Sequence, residues 1–183
     1  MDDFLVRKII ELRNAKDSSN IAKLKDVGSD FAEEAFVRND ARLVEFSIIA
    51  YSLAKFAEKP YIVGTPKWAD FREEIDDHLG AIVDMLKKTP DANYLGETGA
   101  ALHRINDLSA TMGRFVSSLA DKARIKAATQ MYAHGASLGA AAKLAGADKR
   151  ELSKYIGTTR IPEKYATIPV RLRIEQIEKL IGP

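Results

Sequence analysis

Ser137-Leu138-Gly139-Ala140-Ala141-Ala142-Lys143-Leu144-Ala145-Gly146-Ala147-Asp148-Lys149-Arg150-Glu151-Leu152-Ser153-Lys154-Tyr155-Ile156-Gly157 reads as two short helices about a tight turn. Ser137 stands where a side-chain oxygen can cap the first helix. Ala141 and Ala142 are small enough to let another helix cross close by. Gly146 falls just past that helix, where a left-handed backbone is required and glycine adopts it without a Cβ penalty. Ala147 then fills the corner. Asp148 caps the second helix, and Glu151 completes a box-like start. Leu152, Tyr155 and Ile156 fall on one inward face, and Gly157 is placed to end the helix.

Outward from this stretch the periodicity stays helical and predicts an all-α fold. Downstream, Pro162 and Pro169 bracket a loop, and residues 171–181 alternate as a short amphipathic helix suited to support the pair. Upstream, Asp121 to His134 continues as helix. Ile105, Leu108, Met112, Phe115 and Leu119 alternate steps of three and four, a short a/d seam. Thr65-Pro66 is a strong helix start, and Trp68, Phe71, Ile75, Leu79, Ile82, Val83 and Leu86 form an apolar stripe behind it. Ala41 to Glu58 is apolar nearly all round, the mark of a central buried helix, and Pro60 ends it. Phe4 to Arg13 and the run after Asp17-Ser18-Ser19-Asn20 are also helical, with Gly28-Ser29-Asp30 expected to punctuate. Asn39-Asp40 offers a cap for the helix that follows. Tyr61-Ile62-Val63 is too short to count as a strand. Gly96 to Gly99 is expected to be a loop. The domain boundary is placed there, giving an acidic helical bundle over residues 1–94 and a basic region over 95–183.

The charge pattern supports that division. From Leu119 to Pro183 there are twelve Lys plus Arg and six Asp plus Glu, a net of +6. The rest of the chain holds sixteen basic and twenty acidic residues, a net of −4, and the two sum to the overall +2. A basic half on an otherwise acidic chain is suited to meet a polyanion. No cysteine is present, which excludes disulfides, thiolate zinc sites and thiol catalysis. Hydrophobic residues at 46% and charged residues at 30% are globular proportions. The start, Met1-Asp2-Asp3-Phe4, lacks the features of a secretory signal, and no stretch approaches the roughly 18 apolar residues of a membrane span, so a cytoplasmic location is expected.

Residues 137–157 resemble the helix-turn-helix superfamily of DNA-binding domains. The pattern wants a small residue in the first helix, glycine at the turn, an apolar residue next, and another apolar residue further on. Ala142, Gly146, Ala147 and Leu152 match it in order and spacing. Tyr155 departs from it, standing where the family has Val or Ile. In general form the chain is similar to an uncharacterised archaeal transcriptional regulator. The resemblance implies a recognition helix, residues 148–156, with its N-terminal half at base edges in the major groove. Lys149, Arg150, Ser153 and Lys154 carry over to base-facing positions, because Lys and Arg donate to guanine O6 and N7 and Ser pairs with either base type. Thr158, Thr159 and Arg160 follow and are placed for phosphates. The partners implied are double-stranded DNA and a second copy of the chain. The dimer seam is expected in Ile105 to Leu119 or in the Ala41 to Phe56 helix. A small molecule or a protein is the expected effector at the N-terminal bundle.

Catalytic and cofactor patterns are lacking. His78, His103 and His134 are far apart in sequence. Glu74, Asp77 and His78 share a helix turn, which an exposed ion-paired face explains better than a metal does. Gly96-Glu97-Thr98-Gly99 lacks the Lys of a phosphate loop, and Ser117-Ser118 has no base beside it. The expectation is a regulator without catalysis, cofactor or metal. The competing readings are a helical scaffold whose turn is structural, and an RNA-associated factor using the same basic half.

Overall fold

The computed structural model of the chain describes residues 3–110 and 119–159, and these form helices joined by short turns with no strand among them. The fold class is all-α. The order is α1 (Asp3–Asp17), α2 (Ile21–Arg38), α3 (Arg42–Ala57), the single turn α4 (Pro60–Val63), α5 (Pro66–Lys88), α6 (Leu95–Ala110), α7 (Leu119–Ala133), α8 (Leu138–Ala145) and α9 (Lys149–Thr158).

Local chemistry sets most of the boundaries. Asn20 caps α2 by accepting from the Lys23 amide at 3.0 Å. Thr65 caps α5 by accepting from the Trp68 amide, with Pro66 in the first turn. Asn39 ends α2 in a left-handed conformation at φ 52°, and Asp40 accepts from the Arg42 amide at the start of α3. The expected punctuation at Gly28-Ser29-Asp30 is overturned: α2 runs through it. Gly28 is there for packing, since a Cβ on it would lie 3.2 Å from the Ala50 Cβ of α3. The expected loop at Gly96 to Gly99 is helix too, because both glycines fall in the opening turns of α6 while Thr98 is fully buried. Glu45 of α3 accepts from the Thr98 hydroxyl, which ties that turn to the core.

α3 is the centre. Leu43, Val44, Phe46, Ile48, Ile49, Leu53 and Phe56 are all buried, as an all-round apolar helix requires. It packs against α2, α6 and α7. Phe46 stacks on Phe31 of α2, with ring centroids 5.0 Å apart, and meets Tyr94 on its other side. Trp68 stacks on Phe71, and Phe56 meets both rings edge-on. The buried apolar residues form one cluster from Leu5 to Leu152, so side chains on both sides of residue 94 share it.

This packing bears on part of the seams expected for a dimer. Ile105 and Leu108 are buried within the chain, as are the apolar residues of α3, so these side chains serve the chain's own core. Met112 and Phe115, like the helix expected over 171–181 and the prolines at 162 and 169, lie outside the described residues.

Polar ties hold the outer helices. Asp76 of α5 accepts from both the Nε and an Nη of Arg13, at 3.0 and 2.7 Å, and pairs with the buried Lys16 at 3.0 Å. The Arg13 hydrogen bonds, with Lys16 adding to them, hold the Asp76 carboxyl down at about 2. No helix among the described residues is long and apolar enough to cross a membrane.

Candidate nucleic-acid interface

α7 carries the C-terminal end of the described chain. It packs on α2 and α3 on one side and on α8 and α9 on the other, while α8 and α9 also touch each other. These three helices therefore form a mutually packed set anchored to the rest of the core.

The turn within it follows from its residues. Ser137 accepts from the Ala140 amide at 3.1 Å and opens α8. Gly146 ends α8 at φ 61°, and the Ala147 amide returns to the Ala142 carbonyl at 2.9 Å, the geometry of a glycine-terminated helix. Arg124 of α7 donates to the Ala145 carbonyl at 3.2 Å and satisfies one of the last acceptors of α8. Asp148 Oδ1 accepts from the amides of Arg150 and Glu151, at 2.9 and 2.8 Å, and opens α9. Ala141, Ala142 and Ala145 are buried where α8 meets its neighbours. Leu152 is fully buried, and Tyr155 and Ile156 are half-buried against the core.

That anchoring decides what α9 presents outward. Lys149, Arg150, Ser153 and Lys154 are all exposed; Arg150 and Lys154 fall opposite Leu152 on α9, and Lys149 and Ser153 flank it. Lys143 of α8 is exposed as well. Several cations elsewhere sit against carboxylates, Lys8 with Asp30, Arg13 with Asp76, Arg42 with Asp40 and Arg104 with Glu74, while others such as Arg7, Lys67, Lys87 and Lys88 do not among the described residues. Lys143, Lys149, Arg150 and Lys154 make no ion pair with any described residue. Asp148 and Glu151, also exposed, stand among the α9 cations without pairing to them, and the positive N-terminal dipole of α9 adds to the cationic side.

Not every expected residue joins this face. Gly157 does not end α9, which continues to Thr158. The Thr158 hydroxyl donates to the Lys154 and Tyr155 carbonyls, and the Thr159 hydroxyl to that of Tyr155, so both are engaged in closing the helix. Arg160 lies outside the described residues. Tyr155 is turned toward α7, where its hydroxyl accepts from Lys126 Nζ at 3.3 Å. Nothing in the sequence pointed to Lys126: it is 29 positions from its partner, and only the packing of α7 on α9 joins them. Lys143 carried a weaker signal, being a lone cation in an alanine-rich helix.

Part of the Glu74, Asp77 and His78 cluster on α5 is engaged by neighbours from α6. Glu74 accepts from Arg104, and His78 Nδ1 lies 2.7 Å from Glu97. No group of metal-ligating side chains forms among the described residues. Compared with family models, with curated proteins and with solved structures, the chain matches none of them.

Proposed function

We propose that this protein binds double-stranded DNA in a sequence-specific manner and regulates transcription, with α8, the Gly146 turn and α9 acting as a helix-turn-helix. The observation that carries the reading is the outer face of α9. Its cations stand exposed and unpaired, while Leu152 fixes the opposite face in the core. A helix so mounted can enter a major groove with its first turns at the base edges. Arg150 and Lys149 suit guanine, and Ser153 and Lys154 lie one turn further along the same face. Lys143 on α8 is suited to a phosphate, where the first helix of such a unit crosses the backbone. One such unit buries little DNA, so the active form is a homodimer whose two α9 helices reach half-sites about 34 Å apart. The acidic N-terminal helices then carry the dimer contact or an effector.

Selection from a pool of random duplexes, followed by titration of the enriched site, tests this. Arg150→Ala should cost about 1–3 kcal/mol on that site and relax preference at one base position. Lys143→Ala should weaken enriched and random duplexes equally, since a phosphate contact holds no sequence information. Failure to enrich any duplex, with preferential binding of single-stranded RNA, would replace this reading with the RNA-associated one.

A further inference from the structure

A cleft of about 330 Å³ opens between α2, α3, α7 and the inner side of α9. It exists because its floor is built from small residues, among them Gly28, Ala123 and Ala127. Two tyrosine rings, Tyr51 of α3 and Tyr155 of α9, form walls, and three lysines reach it from three different helices: Lys25, Lys55 and Lys126. Glu58, nearby, is shared by two of them, pairing with Lys25 at 2.6 Å and Lys55 at 2.7 Å. Lys126 has no carboxylate among the described residues, only the Tyr155 hydroxyl, and its ammonium lies 5.7 Å from that ring's centroid. The cleft is thus left with an excess of positive charge. Ser47 is buried, lines the same space, and its hydroxyl is taken up by no described residue.

We infer that this cleft binds a small organic anion, a flat molecule bearing a carboxylate or a phosphate, and that the anion is an effector acting on α9. The volume lies at the small end of ligand pockets, enough for a metabolite-sized molecule. The anionic group is met by Lys126, which supplies a charge-assisted hydrogen bond. The flat body is held between Tyr51 and Tyr155 over the alanine floor, a surface that accepts π-faces and edges alike. Ser47 is left to fix orientation. Coupling to α9 follows from Lys126 itself. The ammonium that an anion would engage is the one now holding the Tyr155 hydroxyl, so occupancy changes the contact between α7 and α9. Binding in the cleft stands on the geometry alone; its role as an effector rests on the DNA-binding reading.

Calorimetry on the full chain, with phenyl phosphate and benzoate as anionic probes and benzyl alcohol as the neutral one, provides the test. Saturable binding of at least one anion, with none of the alcohol, is expected; the preferred anion assigns phosphate or carboxylate chemistry. Lys126→Gln should weaken the preferred anion about tenfold or more, as loss of a hydrogen bond to a charged group does. Lys122→Gln, one turn away on α7, should leave it unchanged. Both side chains are exposed, so both variants should melt like the parent. Absence of saturable binding, or equal weakening by the two variants, would overturn the site. The preferred anion should also shift duplex affinity in the parent and not in Lys126→Gln. If the anion binds and no duplex does, the DNA-binding reading and the effector role fail while the site stands. If duplex binds and neither anion does, the site fails alone.

Discussion

Gly146 shows how much one residue can decide. Its φ of 61° is a conformation that L side chains rarely adopt, and a Cβ there would meet an Arg124 nitrogen at 2.8 Å. Gly146→Val should therefore destabilise the protein by about 1–3 kcal/mol through backbone strain. Gly146→Asn should cost less, because Asn tolerates the left-handed region. Thermal melts followed by the fluorescence of Trp68, the single tryptophan and a buried one, compare the two; a higher midpoint for the valine variant would contradict the turn. This glycine was legible in sequence because it followed a helical run and preceded a capping aspartate. Gly28 was misread for the opposite reason. Its role is set by Ala50, on another helix, and no local pattern distinguishes a glycine that breaks a helix from one that lets two helices touch. A Cβ there presses on Ala50 at the crossing, so Gly28→Leu should cost about 1–3 kcal/mol by crowding α2 against α3, read in the same melts.

Among the elements, α9 is seated by one face and exposes the other. Leu152 is its fully buried anchor, and Leu152→Ala should cost about 2–5 kcal/mol by leaving a cavity under the helix. Asp148→Ala removes the acceptor for two amides and should cost about 1 kcal/mol. Chemical denaturation of both variants, with the larger loss at Leu152, checks the order; equal losses would mean that α9 is not seated through that side chain. The caps at Asn20, Thr65, Ser137 and Asp148 were visible in advance because each is a short-range bond between a side chain and the backbone a few residues on. Helix ends without such a signal were not. Gly157 looked like a stop, yet α9 ends only after it, where the hydroxyls of Thr158 and Thr159 take over the last carbonyls. The outer face of α9 followed from periodicity alone, whereas the cleft needed four helices to meet and had no trace in one dimension.

Over the whole molecule, the acidic N-terminal helices tie several of their cations to carboxylates, and the ties predict a pH response. Asp76, held at about 2 mainly by its hydrogen bonds from Arg13, binds a proton less readily in the folded chain than in the unfolded one. Its contribution is therefore fully present above the usual carboxylate range and is lost as pH falls from about 4 toward 2. Asp76→Asn should remove about 1 kcal/mol of stability at neutral pH, after allowance for solvent screening, and flatten the acid limb of a melting-temperature profile. An unchanged acid limb would show that the pair does not link α1 to α5 energetically. The central claim concerns the opposite end, where Lys149, Arg150 and Lys154 stand exposed without an ion pair to any described residue. Fluorescence anisotropy of a labelled duplex, titrated with the protein at several salt concentrations, measures it most directly. The account predicts saturable binding whose logarithm falls steeply and linearly with the logarithm of salt, as counterions are released. It also predicts a loss of about a hundredfold or more in a folded variant carrying Lys149→Ala, Arg150→Ala and Lys154→Ala together. No binding at about 50 mM salt, or the same isotherm from the triple variant, would contradict it.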